Sequence, residues 1–140
     1  MHKQERNWLI VLVVVFLIFN IITLSTLVPW QEWLLWSKPT PSQQVKIEIA
    51  NYTMQFPADP IQVKKGEYVE FIATSQDVTY GFGVFRQDGT MVFQMQVLPG
   101  HENKLLWKFD AAGNYTVRST EYSGPRHSEM VYPDKILVTQ

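Results

Sequence analysis

A stretch near the end of the chain, Ser119–Val131, combines side chains that bind metals with others that bind them poorly. It reads STEYSGPRHSEMV. His127 supplies an imidazole and Met130 a thioether, both of which are copper ligands in proteins. Ser119 and Ser123 stand where two cysteines would make the string a copper-binding loop. A serine hydroxyl is a hard, weakly acidic donor, so the sequence predicts a loop with the spacing of a copper site and without its sulfur ligands.

The composition excludes several other kinds of site. The chain has 140 residues, no cysteine and a formal net charge of -1, so disulfides and thiolate chemistry are absent and nucleic acid is not an expected partner. The histidines, His2, His101 and His127, form no closely spaced pair and predict no zinc site. No Gly-rich phosphate loop occurs, and no G-x-S-x-G elbow supports a Ser–His–Asp triad. We predict no catalytic or cofactor-binding residue in this chain.

An uncharged apolar segment, Trp8–Val28, lies near the start of the chain. As a helix its 21 residues would span roughly 30 Å, the thickness of a bilayer's hydrocarbon core. A signal peptide is the alternative, but its apolar run is usually about 7–15 residues and ends at an A-x-A-like site, which does not follow here. Tryptophans typical of an interfacial anchor follow instead: Trp30, Trp33 and Trp36. We predict a transmembrane helix over residues 8–28.

The flanking charges predict how this helix is oriented. Lys3 and Arg6 precede it closely, whereas only Lys38 follows at comparable range. By the positive-inside rule, residues 1–7 are expected in the cytoplasm, and the chain beyond the helix on the outer face of the plasma membrane, periplasmic or extracellular. Residues 29–44 are expected to form a Trp-rich interfacial segment and a proline-containing linker.

From residue 45 onward the sequence has the pattern of β-structure. VKIEIANYTM alternates apolar and polar residues, as a strand with one buried face does. Turn signals such as KKG, QDG and DAAGN separate the further strand candidates: Tyr68–Thr74, Gly81–Phe85, Thr90–Leu98, Lys104–Phe109, Gly113–Ser119 and Lys135–Thr139. Short strands at this spacing predict an antiparallel sandwich or barrel over residues 45–140.

Two segments stand in a fixed order along the chain, DVTYGF at Asp77–Phe82 and STEYSGPRHSEM at Ser119–Met130. Together they resemble subunit II of the heme–copper oxidoreductases. Copper-bearing members carry the loop C-x-[EQ]-x-C-G-x-x-H-x-x-M, and Ser119–Met130 fits this frame without a gap. Their other histidine ligand lies in a D-V-x-H-[SG]-F-like stretch, and here Asp77–Phe82 reads DVTYGF, with Tyr80 at the histidine's place. VLPGHENKLLWKFDAAGNYTVRS resembles the family's strand–turn–strand run before the loop. The resemblance, to the compact B-type members in particular, implies one membrane helix followed by a cupredoxin-like β-sandwich.

The resemblance also implies that the family's dinuclear copper site is absent. Tyr80, Ser119 and Ser123 occupy three of the six ligand positions without a suitable ligand, because two coppers need bridging thiolates and a protonated phenol is a weak ligand. We expect Tyr80 to fill the vacated cavity. Its hydroxyl is expected to bond to Ser119, Ser123 or His127, since a buried hydroxyl needs a partner.

Glu121, His127 and Met130 retain the residue type of the family's ligand set. Without a sulfur partner, we interpret His127 as a hydrogen-bonded loop histidine and Met130 as a packing residue. The family uses a backbone carbonyl at the position of Glu121. In some relatives the matching acid helps to hold a cation, typically magnesium, between subunits I and II. Glu121 is therefore the candidate for an inter-subunit cation or for a place at the proton exit.

These features predict a non-redox subunit II of a quinol-oxidising heme–copper complex that reduces dioxygen or nitric oxide. Hemes and copper are expected in subunit I, a polytopic partner whose outer face this chain covers within the membrane lipid. No cytochrome c is expected to dock through a copper centre. Two alternatives remain open: an electron carrier with mononuclear copper bound by His127, Met130 and an oxygen ligand, and a membrane-tethered β-sandwich adaptor.

Overall fold

The computed structural model of the protein describes residues 2–25, 27–28 and 38–140. The chain divides into two units, residues 1–39 and 40–140. The three tryptophans for which an interfacial role is predicted, Trp30, Trp33 and Trp36, lie outside the described residues.

The first unit contains an α-helix, α1, which runs from Lys3 to Leu24. It begins before the predicted start at Trp8, because the backbone N–H of His2 donates to the carboxylate of Glu5 at 2.7 Å and so caps the first turn. None of its described side chains is buried, and its length and apolar composition suffice to cross a membrane. The helix also ends four residues before the predicted bound at residue 28. The apolar helix is therefore confirmed with both ends earlier in the chain than predicted, whereas its orientation stays a prediction.

The second unit is a sandwich of two β-sheets, which confirms the predicted fold class. One sheet has the strand order β2-β1-β4-β7 and the other β3-β9-β8-β5-β6. The strands are β1 Gln43–Ala50, β2 Thr53–Gln55, β3 Ile61–Lys64, β4 Tyr68–Ser75, β5 Tyr80–Phe85, β6 Met91–Val97, β7 Asn103–Lys108, β8 Gly113–Arg118 and β9 Val131–Thr139.

Two details of the strand prediction are wrong. The sandwich is not wholly antiparallel, because β1 pairs in parallel with β4 and β3 in parallel with β9. Alternation identifies the buried face of a strand but carries no information on the direction of its neighbour. VKIEIANYTM is not one strand: Asn51 and Tyr52 have φ of 47° and 60°, which turns the chain into a hairpin between β1 and β2.

Burial alternates along β1 as the sequence pattern predicts, with Val45, Ile47 and Ile49 in the core. β3 was missed, although its IQVK alternates in the same way. β5 differs from the other strands, since all six of its residues are buried. Alternating side chains of β5 enter the core, while a loop covers the glycines on its other face. That loop is the segment with the copper-like spacing.

Candidate functional site

The loop between β8 and β9 is closed at its base by backbone hydrogen bonds. The N–H of Ser119 donates to the carbonyl of Met130 at 3.1 Å. A short 3-10 helix, His127–Glu129, precedes β9, and the N–H of His127 donates to the carbonyl of Gly124 at 3.1 Å. The residues with copper-like spacing are thus held in a tight loop.

Two glycines of β5 let this loop lie directly on the sheet. A Cβ at Gly81 would collide with Thr120 Oγ1 and would lie 2.6 Å from the backbone nitrogen of Glu121. A Cβ at Gly83 would collide with the methyl group of Thr120. The N–H of Gly81 donates to Ser119 Oγ at 3.3 Å. The loop therefore packs against the strand that begins with Tyr80.

Tyr80 is fully buried, and its hydroxyl does not bond where the sequence predicts. It donates to Asp77 Oδ2 at 3.0 Å and accepts the backbone N–H of Tyr52 at 3.2 Å. The expected bond to Ser119, Ser123 or His127 is therefore wrong. The hydroxyl instead bonds to Tyr52 in the β1–β2 turn and to Asp77 in the segment before β5.

Burial raises the pKa of the Tyr80 phenol. The N–H bond from Tyr52 opposes this effect, and the Asp77 carboxylate adds to it. The phenol therefore stays protonated at neutral pH, and a protonated phenol is a weak metal ligand.

Asp77 accepts several hydrogen bonds at this end of the sandwich. Its carboxylate receives the N–H groups of Asn51 and Val78, each at 2.8 Å, in addition to the Tyr80 hydroxyl. Desolvation acts to raise the pKa of the exposed Asp77 carboxylate, but these hydrogen bonds outweigh it and leave the pKa below its ordinary value. The charged carboxylate is therefore the form that the fold favours.

We expect Asp77→Asn to flatten the acid side of the stability profile. Because the folded-state pKa is lowered, the contribution of Asp77 is present above its unfolded-state pKa of about 4 and is lost as the pH falls through the folded-state value. Scanning calorimetry between about pH 5 and pH 3 should show a larger fall in melting temperature for the wild type than for the variant. Asp110→Asn, at an exposed surface pair with Arg86, should keep the wild-type slope. Equal slopes for all three proteins would contradict the role of Asp77.

Tyr52 joins the β1–β2 turn to the loop. Its hydroxyl donates to the carbonyl of Ser123 at 3.2 Å, and its ring meets that of Tyr80 edge to face, with centroids 6.2 Å apart. The guanidinium of Arg126 lies 5.7 Å from the ring centroid. Sequence reasoning missed both Tyr52 and Asp77. The available signals were an asparagine followed by tyrosine inside an alternating run, which is a candidate turn, and the aspartate of DVTYGF.

Three polar atoms of the loop are buried without a hydrogen-bond partner in the part of the chain that the structure describes. They are Thr120 Oγ1, Ser123 Oγ and His127 Nδ1. The side-chain hydrogen bond expected of His127 is thus not found at Nδ1, and the His127 ring lies 5.9 Å from that of Tyr122. Met130 is fully buried in the core.

The predicted site residues fall into two groups. Ser119, His127 and Met130 line one open groove of about 550 Å³ beside the loop. Tyr80 and Ser123 are instead linked through Tyr52, which contacts both. The Tyr80 hydroxyl is therefore connected to the loop through Tyr52, and not by a direct bond to a side chain of the loop.

Glu121 is half-buried at the start of the loop. Ser119 Oγ donates to its backbone carbonyl at 3.3 Å. Within residues 2–25, 27–28 and 38–140, no three His, Asp or Glu side chains lie close enough together to hold a metal ion. A cation shared with another subunit would need ligands from that subunit, so this role of Glu121 stays a prediction.

The donor set does not fit a dinuclear copper centre. The sequence contains no cysteine, and hydroxyls stand at both bridging positions, Ser119 and Ser123. At the histidine position, the Tyr80 hydroxyl is already engaged with Asp77 and the Tyr52 amide. Tyr80, Asp77 and the Tyr52 amide thus form an internal hydrogen-bonded cluster at this end of the sandwich.

Comparison with known proteins supports the predicted superfamily. No family model matches the chain. It is 30% identical over 91 residues to a cytochrome c oxidase subunit 2 of Thermus thermophilus, across 65% of this chain and 64% of the relative. A probable cytochrome c oxidase subunit 2 of Streptomyces avermitilis is 28% identical over 81 residues, which is 24% of its length. The chain thus spans less than two thirds of the curated relatives that it matches.

Solved structures support the cupredoxin-like fold. A chain of a heme–copper terminal oxidase dimer matches with a TM-score of 0.54 and 20% identity, over 99% of this chain and 100% of that one. The periplasmic domain of cytochrome oxidase subunit II from Bradyrhizobium japonicum gives 0.54 and 16% identity over 73% of this chain and 87% of the domain. Auracyanin B gives 0.59 and 13% identity over 74% of this chain and 94% of its own. The chain is thus like subunit II of heme–copper oxidases in sequence and cupredoxin-like in fold.

Proposed function

We propose that this chain is subunit II of a heme–copper oxidoreductase and that it carries no electrons itself. The proposal rests on the residues found where copper-bearing relatives have their ligands. Tyr80 stands at the histidine position with its hydroxyl bonded to Asp77 and Tyr52, in a chain without a single thiolate. The sequence likeness to cytochrome c oxidase subunit 2 supports membership of the superfamily. The available ligands, however, argue against a copper centre in this chain that accepts electrons from cytochrome c.

Without an electron-accepting centre in this chain, electrons must reach the complex by another route. Quinol meets this requirement, because it is a membrane-dissolved reductant that can deliver electrons directly to hemes in subunit I. The acceptor is dioxygen or nitric oxide, and the residues that select it belong to subunit I. This chain would cover the outer face of subunit I and shape the exit for protons or water there.

The helix α1 is the proposed membrane anchor. Its apolar side chains require lipid or another membrane helix as surroundings. With Lys3 and Arg6 on the cytoplasmic side, the sandwich would stand on the outer face, beside the partner it covers. The expected order along the chain is a cytoplasmic N-terminus, the membrane helix α1, which ends at Leu24, an interfacial linker within residues 29–44, and the sandwich.

The purified complex should oxidise quinol rapidly and reduced cytochrome c only at background rate. Reduction of dioxygen and of nitric oxide is followed with each donor in turn, which also identifies the acceptor. The cytochrome c oxidase of Thermus thermophilus serves as the positive control for the cytochrome c arm. Rapid turnover with cytochrome c, in a preparation without an additional cytochrome subunit, would refute the proposal.

A further inference from the structure

The turn between β1 and β2 has an unusual backbone conformation for its residues. Asn51 and Tyr52 both have positive φ, 47° and 60°. Residues other than glycine seldom adopt this left-handed backbone conformation, and asparagine tolerates it better than tyrosine does. Each residue of the turn has its N–H bound by a side chain from elsewhere. Asn51 donates to Asp77, and Tyr52 donates to the Tyr80 hydroxyl. Asp77 and Tyr80 thus hold the turn in the conformation that directs the Tyr52 side chain.

That side chain contacts the loop at its centre. The Tyr52 hydroxyl donates to the carbonyl of Ser123, and a Cβ at Gly124 would collide with the same hydroxyl. Gly124 has φ of 135°, so glycine there permits both the backbone conformation and the close approach. The loop and the turn are 71 residues apart in sequence, yet they are joined by a direct hydrogen bond and by the Arg126 guanidinium, which lies over the Tyr52 ring.

In a copper-bearing loop of this spacing, metal–ligand bonds would link the loop to the start of β5. Here the ligand types are missing, and a continuous set of contacts joins the same elements: Asp77 to Tyr80, Tyr80 to Tyr52, and Tyr52 to Ser123. We propose that Tyr52 is a positioning residue that, with Asp77 and Tyr80, fixes the loop Ser119–Met130 without metal. The loop then acquires its shape through folding of this chain alone, with no metal-loading or thiol-reduction step.

The positioning role of Tyr52 is independent of the proposed function. Its consequence, that the loop has its final shape before this chain assembles with subunit I, rests on that function. The two can fail separately. Loop order is measured on this chain without any partner, whereas the choice of electron donor is measured on the complex.

Hydrogen exchange of the full chain in detergent micelles, read by mass spectrometry, tests the positioning role. The amides of Ser119, His127, Glu129 and Met130 donate within the loop and report its order. Tyr52→Phe should make them exchange about tenfold faster, since losing one hydrogen bond changes a local opening equilibrium by roughly that factor. Tyr52→Leu, which also removes the ring contacts with Tyr80 and Arg126, should increase exchange further.

Tyr115→Phe is the matched control. The Tyr115 hydroxyl also donates to a loop carbonyl, that of Ala111 at 2.6 Å, but this loop precedes β8 and the other follows it. The control should speed exchange near Ala111 and leave the loop after β8 at the wild-type rate. A purely global loss of stability would raise exchange equally in the loop before β8 and in the loop after it.

The same samples test whether the loop is ordered without a bound metal. Loop exchange in the wild type should be the same with EDTA present and with copper(II) sulfate added. The inference is overturned if Tyr52→Phe leaves loop exchange unchanged, if it raises exchange equally everywhere, or if the loop gains protection only when copper is added.

Discussion

Replacing Tyr80 with alanine should lower the free energy of unfolding by about 3–5 kcal/mol, the range for deleting a fully buried aromatic ring. The ring has no solvent exposure and packs within the core. Its removal leaves a cavity at the end of the sandwich and also removes the hydroxyl that binds Asp77 and the Tyr52 amide. The loss should be measured by urea denaturation of the chain in detergent, followed by circular dichroism of the β-sandwich.

Tyr80→Phe separates the two contributions. It keeps the ring and removes the hydroxyl, which leaves the Tyr52 N–H without its acceptor, at an expected loss of about 1–3 kcal/mol. The alanine variant must therefore be clearly less stable than the phenylalanine variant. A Tyr80→Ala protein that unfolds at the wild-type urea concentration would contradict the packing of this ring in the core of the sandwich.

Gly81→Ala should displace the loop and destabilise the protein by about 1–3 kcal/mol or more, the range for adding volume to a packed site. The added Cβ would collide with Thr120 Oγ1 and would also lie 2.6 Å and 2.7 Å from the backbone nitrogens of Glu121 and Thr120. Backbone atoms cannot rotate aside as a side chain can. The same urea denaturation measures the loss.

A double variant identifies which contact matters. Thr120→Ala removes the hydroxyl that Gly81→Ala would meet, but both backbone nitrogens remain in place. Combining the two substitutions should therefore recover only part of the stability lost in Gly81→Ala. Full recovery would mean that the loop backbone does not lie against β5, contrary to the arrangement described here.

The helix and most strands could be predicted because their signals are local. An uncharged apolar run predicts α1, and alternation predicts the buried face of β1 whatever its neighbours are. The unsuitable donor set for dinuclear copper is also readable from the residues alone, since no fold can supply a thiolate to a chain without cysteine. The loop and Tyr80 were both identified at this level.

Hydrogen-bond partners depended on the tertiary structure. Nothing in the spacing of the residues indicates that the Tyr80 hydroxyl binds Asp77 and the Tyr52 amide, in preference to Ser119 or Ser123. A fully buried hydroxyl bonds to whichever polar group the packing brings within reach.

The sequence by itself determined the helix, most of the strands and the kinds of metal ligand that the chain has available. The tertiary structure decided which strands run parallel, that the β1–β2 run turns at Asn51 and Tyr52, and that Tyr52 meets the loop near Ser123. The physical reason is the separation along the chain of the residues that interact. Helix and strand patterns arise from neighbours along the chain, whereas the contact of Tyr52 with the loop joins residues 71 positions apart and exists only after both sheets have packed.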